Sequence, residues 1–232
     1  MRGLRAVVFD LDDTLWPVGP AIIGAERAML GFLAERYPRV LERHTLDSMR
    51  DRRARMALEH PSMRHDFTWL RTQALLEHAR EAGYPDRMAQ EAFEVFYRAR
   101  NDVTLYDDVL PALQRLAGRY RLFALSNGNA DLAAIGIADR FEAALAAREA
   151  GCLKPDPRIF RQLIDRAGLD PATVLHVGDD PDADVEGARR AGLAAVWVNR
   201  AGRAWPDGIE PPSHEVRTLD GLVELLDLRD ER

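Results

Sequence analysis

Cysteine is nearly absent: the 232 residues contain one, Cys152. A single thiol excludes an internal disulfide and a cysteine-rich metal site. Aromatic residues make up only 7%, and positive charge is in deficit, with a net charge of −6. A chain this acidic is not expected to bind nucleic acid, because phosphate backbones need a basic face. No apolar run approaches a membrane span, and the N-terminus lacks a secretory signal pattern. The expectation is a cytoplasmic protein with no membrane partner. Histidine is scarce too. His44, His60, His65, His78 and His214 show no metal-ligand spacing, and His176 lies in a strand-like run where simple packing is expected. No internal repeat or low-complexity segment is visible.

What is present is ordinary for a globular enzyme or binding protein: 47% hydrophobic and 30% charged residues, in a chain long enough for one large domain or one domain with an insertion. The most informative stretch is VVFDLDDT, Val7 to Thr14. Val7, Val8 and Phe9 read as the end of a strand buried on both faces, as in a parallel sheet. Asp10, Asp12 and Asp13 then crowd three carboxylates past its carboxyl end, which repulsion makes costly unless a cation or a shared proton explains it. The alternative is an acidic turn capping the next helix.

From Pro17 to about Asn101 helical periodicity takes over. Four helices are expected: one ending near Tyr37-Pro38, one over about 40–58, one capped by Asp66 and closed by Gly83, and one over about 86–100. The run Arg50, Arg52, Arg53 and Arg55 reads as a solvated helix face. After Thr104 strands and helices alternate, the signature of βαβ units. Asp107 and Asp108 are expected to open a helix. The fold class is therefore α/β: a Rossmann-like, doubly wound, mostly parallel sheet with an inserted α-helical cap. Residues 1–16 and 103–232 form the expected core and 17–102 the cap, seated over the carboxyl ends of the strands. The first strand should lie centrally, flanked by those starting at Arg121 and Thr173.

Successive strands in this arrangement deliver Asp10 and Asp12, then Ser126 and Asn127, then Asp179 to one edge, where open α/β sheets bind ligands. Lys154, in KPDPRIF, joins them. These groups suit phosphoryl transfer through a covalent intermediate. Asp10 would attack phosphorus, and Asp12 would serve as acid and then base. Mg²⁺ would sit on Asp10, the Asp12 carbonyl and Asp179. Lys154 and Ser126 would meet the phosphoryl oxygens.

DLDDT, LSNG, KPDPRIF and VGDDPDADVEGARRAG resemble, in order, the four motifs of the haloacid dehalogenase-like hydrolases. The resemblance implies a catalytic set of Asp10, Asp12 and Lys154, and phosphate binding by Thr14, Ser126, Asn127 and Lys154. It implies metal ligation by Asp10, Asp12 and Asp179, supported by Asp180 and Asp184, with Asp180 equally able to cap the next helix. Dehalogenases of this family do not need Mg²⁺ and resemble the phosphatases less at the acid/base and metal-ligand positions, which Asp12 and Asp179 fill here. The resemblance thus favours a Mg²⁺-dependent phosphatase of a small phosphorylated metabolite, monomeric or homodimeric. A 2-haloacid dehalogenase and an inactive phospho-ligand-binding relative are the alternatives. DLDDTLW and LHVGDD are also similar to bacterial phosphatases acting on flavin mononucleotide and a riboflavin-pathway ribitylaminouracil phosphate. Trp16, Phe67 or Trp69 would then be candidates to stack on a planar ring, although Phe67 and Trp69 are expected to fill the cap's own core.

Overall fold

Ala6–Phe9 is a strand in which all four side chains are buried, the pattern of a strand covered on both faces. The computed structural model describes residues 3–230. In chain order its strands and α-helices are β1 (Ala6–Phe9), α1 (Val18–Arg36), α2 (Pro38–Arg43), α3 (Leu46–Glu59), α4 (Phe67–Glu81) and α5 (Arg87–Arg100). There follow α6 (Val109–Ala117), β2 (Arg121–Ser126), α7 (Leu132–Ile135), β3 (Ala143–Ala146), α8 (Ala147–Ala150) and α9 (Pro157–Ala167). The last are β4 (Val174–Gly178), α10 (Gly187–Arg190), β5 (Ala194–Val198), β6 (Glu215–Val216) and α11 (Leu219–Asp230). One turn of π-helix, Pro181–Glu186, precedes α10.

Two units emerge. The first holds the residues up to Pro17, Thr104–Gly128 and those from Gly136 onward. Its six strands run in the order β3-β2-β1-β4-β5-β6, and every neighbouring pair is parallel. β1 is central, between β2 and β4, as expected. The register sets Phe9 opposite Ala124 on one side and Val177 on the other, so Asp10, Ser126 and Asp179 all leave the sheet within one residue of the same level. A core of Ala6, Val8, Phe123, Leu125 and Val174 packs against Ile159, Phe160, Leu163 and Ile164 of α9. Each buried Val, Leu, Ile or Phe side chain among them contributes about 1.5–3 kcal/mol by leaving water. Cys152 is buried in the same cluster. α9 follows from its sequence. Asp156 caps it by accepting the Arg158 N–H, Pro157 starts it, and Gly168 ends it at φ +64°.

The second unit holds Val18–Val103 and Asn129–Ile135. Residues 129–135, expected within the core, join it through hydrogen bonds. Asn129 donates to Thr68 Oγ1 (3.1 Å) and accepts from Arg100 Nε (3.3 Å), and Asp131 N–H donates to Asn101 Oδ1 (2.9 Å). The helix expected over 40–58 is two helices, because Thr45 and Ser48 form a reciprocal capping box that opens α3 after a break at His44. Asp66 caps α4 as expected, accepting the Trp69 N–H (2.8 Å), and Gly83 closes it at φ +71°. The core of this unit joins Ala25, Met29 and Leu33 of α1 to Met88, Ala92, Phe93 and Phe96 of α5.

The arginine run is not simply solvated. Arg50 pairs with Glu26 of α1, itself 1% exposed, while Arg52 pairs with Glu59 and Glu77. Phe67 and Trp69 are not core residues either. Phe67 is 44% exposed, and Trp69 lies half-buried with its ring edge-on to His60. The acidic start of α6 also differs: the Asp108 carboxylate makes no cap bond and accepts instead from Arg200 Nη1 (3.1 Å) and the Leu219 N–H (2.6 Å). No helix among the described residues is long and apolar enough to cross a membrane.

Candidate active site

Past Phe9 the chain keeps one more sheet hydrogen bond, from Asp10 N–H to the Val177 carbonyl (2.9 Å), and then turns sharply. The Leu11 carbonyl accepts the Leu15 N–H (2.8 Å), and Asp13 N–H donates to the Trp16 carbonyl (2.8 Å). Asp13 takes φ +58°, a left-handed conformation that a short polar side chain tolerates. Trp16 is fully buried, and its indole N–H donates to Asp12 Oδ1 (2.9 Å). That placement leaves Trp16 no open face for a ligand ring and gives it instead the task of holding Asp12.

Lys154 is the hub. Its ammonium, 2% exposed, donates to Asp10 Oδ1 (2.5 Å) and Asp184 Oδ1 (2.6 Å). Burial alone would push the Lys154 pKa down, but the two carboxylates outweigh it and hold the group protonated. Burial pushes the Asp10 carboxyl well above the usual range, against the pull of Lys154. On Asp184 burial acts the same way, yet Lys154 and His176 overcome it and keep that carboxyl below its ordinary value. Lys154 is itself held by Asn127, whose Oδ1 accepts the Lys154 N–H (2.7 Å) and whose Nδ2 donates to the Lys154 carbonyl (3.0 Å). Ser126, 4% exposed at the end of β2, accepts the Gly128 N–H on its Oγ (2.9 Å).

Asp10, Asp179 and Asp184 each present an oxygen within 4.8 Å of the others. Burial, then the nearby Asp184 and Asp13, raise the Asp179 carboxyl to about 7, although Arg203 donates to it (2.9 Å). Carboxylates crowded against one another in a buried site are what a divalent cation relieves. The oxygens of Asp184 are committed: Oδ1 to Lys154 and His176, Oδ2 to the Asp180 N–H (3.0 Å). Asp10 and Asp179 are therefore the side chains most open to such a cation.

The remaining expected members fall at different distances from this hub. The Asp180 carboxylate caps the following turn, accepting the N–H groups of Asp182 (2.9 Å) and Ala183 (2.8 Å). Thr14 is fully buried, its hydroxyl has no hydrogen-bond partner, and its carbonyl accepts from Arg200 Nε (3.0 Å). Neither side chain bonds to Asp10, Lys154 or Asp179.

Four residues outside the expected set shape the site. His176, fully buried, lies 2.9 Å from Asp184 through Nε2. Burial keeps the imidazole neutral, and a carboxylate only accepts, so Nε2 carries the proton. Arg203 neutralises Asp179. Gly178 and Gly187 leave room: a Cβ on Gly178 would stand 2.2 Å from Asp184 Cγ, and one on Gly187 3.0 Å from the Pro155 Cα. The glycines were visible in VGDDPDADVEG, but only the fold shows what presses on them.

The sheet thus carries, at its carboxyl edge, a buried lysine clamped between two aspartates, where open α/β folds place their ligand sites. A model of the haloacid dehalogenase-like hydrolases matches residues 4–192. The chain belongs to that family. It is 33% identical over 231 residues to the 5-amino-6-(5-phospho-D-ribitylamino)uracil phosphatase of Escherichia coli, covering 96% of each chain. It is 32% identical over 222 residues to a phosphoserine phosphatase of Thermus thermophilus, covering 85% of this chain and 89% of that one. Among solved structures, a 2-haloacid dehalogenase from Pseudomonas syringae superposes with a TM-score of 0.91 at 39% identity, covering 97% of this chain and 98% of that one.

Proposed function

We propose that this hydrolase is a Mg²⁺-dependent phosphatase that acts on a small phosphorylated metabolite through an aspartyl phosphate on Asp10. The observation that carries the reading is the Lys154 ammonium bridging Asp10 and Asp184 beside Asp179. One cation steadies the attacking carboxylate and stands ready for phosphoryl oxygens, while a second acid keeps that cation charged. Asp10, Asp179 and the Asp12 carbonyl would hold Mg²⁺, which supplies the positive charge that lets one anion approach another.

An Asp10 oxygen attacks phosphorus and the ester P–O bond breaks, with Asp12 protonating the departing alkoxide. Asp12, now a carboxylate, takes a proton from water. The water oxygen attacks phosphorus, the bond to Asp10 breaks, and inorganic phosphate leaves with Asp10 and Asp12 restored. The Ser126 hydroxyl, whose oxygen already accepts from Gly128, is free to donate its hydrogen to a phosphoryl oxygen.

Dehalogenation is the second reading, favoured by the resemblance to the Pseudomonas protein described as a 2-haloacid dehalogenase. The site chemistry supports it less. A halide leaves without protonation and a neutral carbon centre needs no dication, so Asp12 held by Trp16 and the raised Asp179 would be idle in that reaction. Phosphate release from p-nitrophenyl phosphate, with and without Mg²⁺, tests the proposal beside chloride release from 2-chloropropionate. Mg²⁺-dependent phosphate release that Asp10→Asn abolishes is the expected result. Metal-independent chloride release as the only activity overturns it.

The substrate is proposed to carry its phosphate on a chain attached to a planar ring, as in flavin mononucleotide or the ribitylaminouracil phosphate. The whole-length similarity to the Escherichia coli enzyme supports this. A panel in which sugar phosphates turn over as well as these compounds would remove that part of the proposal.

A further inference from the structure

Among the described residues, one other group of ligating side chains converges besides the sheet edge, and it lies within the helical unit. His78 and Glu81 stand one turn apart on α4, where i and i+3 share a face. His44, the residue that ends α2, folds against them. Each offers one ligand atom within 4.8 Å of the other two. His44 Nε2 is 3.0 Å from Glu81 Oε2, His78 Nδ1 is 4.0 Å from the same oxygen, and the two rings lie 4.2 Å apart at 47°.

The polar atoms here are poorly served. Both nitrogens of His78 are buried with no hydrogen-bond partner, His78 as a whole is 3% exposed, and His44 Nε2 has only the Glu81 carboxylate beside it. Burying a polar group without a partner is unfavourable, and an imidazole with an unused lone pair is a common metal ligand.

We infer that His44, His78 and Glu81 form a site for a divalent transition-metal ion of the Zn²⁺ type. Metal–ligand bonds of about 2.0–2.2 Å in a tetrahedron set donor atoms about 3.3–3.6 Å apart, and the observed 3.0 and 4.0 Å straddle that spacing. Two imidazoles select against Mg²⁺, which takes oxygen ligands, so the site differs in kind from the carboxylates of Asp10 and Asp179. Arg52, whose charge acts on His78, is already paired with Glu59 and Glu77. Glu81, with a side chain 57% exposed, opens the site to entering metal and to a water as fourth ligand. The bound ion would pin the end of α2 to α4.

The test uses the full chain in saturating Mg²⁺, which occupies oxygen sites, titrated with Co²⁺. Near one equivalent, the intense visible absorption of four-coordinate cobalt is expected, and Zn²⁺ should displace it. His44→Gln should weaken binding by about 100-fold or more, at least what loss of an outer-shell partner costs. Asp179→Asn should leave the band unchanged. Melting of His44→Gln without metal reports whether it folds, and Glu81→Gln, on an exposed side chain, removes a ligand independently. No band at one equivalent, a band that persists in a folded His44→Gln and in Glu81→Gln, or a band lost in Asp179→Asn overturns the assignment.

Discussion

A methyl group on Gly178 would lie 2.2 Å from the Cγ of Asp184. The last residue of β4 is therefore bare so that the Asp184 carboxylate can lie against the strand end and reach Lys154 and His176. Gly178→Ala must push Asp184 away or bend β4. The expected result is a loss of about 10²–10³ in kcat, the scale of removing one preorganised electrostatic partner, with about 1–3 kcal/mol of overpacking cost in a melt. Turnover of p-nitrophenyl phosphate at the wild-type rate would show that Asp184 can serve from elsewhere.

Trp16 donates to Asp12 across four residues of the same turn (2.9 Å). Trp16→Phe keeps an aromatic ring in the buried slot and deletes the N–H. If Asp12 is the acid and base, kcat should fall about tenfold or more, since a positioned proton donor contributes about 10²–10⁴, while KM changes little. A raised KM with unchanged kcat would move Trp16 from positioning Asp12 to shaping the binding surface.

The parts legible in the sequence are those whose signal is local. A run of β-formers that ends in acid marks β1 and Asp10 wherever the rest of the chain goes, and SNG and KPDP mark the Asn127 and Lys154 turns in the same way. The split between α2 and α3 was hidden because apolar spacing continues across His44 and Thr45, while the capping box that separates them is a hydrogen-bond geometry. His176 read as a packing residue because its partner is eight positions away around a π-helical turn. Arg203, Arg200 and the His44–His78 pair were illegible for a further reason. Their meetings are made by tertiary packing, and nothing in a Gly/Pro-rich loop or a polar helix face announces the partner.

The Asp179 carboxyl is raised to about 7 chiefly by burial, then by Asp184 and Asp13. The folded chain thus holds a proton there that the unfolded chain releases near pH 4, so between about pH 4 and 7 stability falls as pH rises. In metal-free buffer at pH 8, Asp179→Asn should be more stable than wild type by about 1–2 kcal/mol. This is less than the full shift implies, because Arg203 loses its partner and the side chain remains partly solvated. The advantage should vanish below pH 4, and added Mg²⁺ should raise the wild-type Tm but not that of the variant. Equal melting of the two proteins at pH 8 would deny that these acids are crowded enough to need a cation.

Asn127 spends both ends of its carboxamide on the main chain of Lys154, at 2.7 and 3.0 Å. This differs from the expected role of binding phosphate directly, and the two roles separate kinetically. A side chain gripping phosphate makes its own contribution, so removing it should raise KM and multiply with the loss from Lys154→Ala. A side chain that only fixes where Lys154 starts has no effect once the ammonium is gone. Asn127→Ala should therefore lower kcat by about 10–100-fold, the scale of a misplaced catalytic group. The double variant Asn127→Ala/Lys154→Ala should be no slower than Lys154→Ala alone, the non-additivity of residues acting as a unit. If the two losses multiply instead, Asn127 acts on the substrate itself, through a contact that forms when phosphate enters.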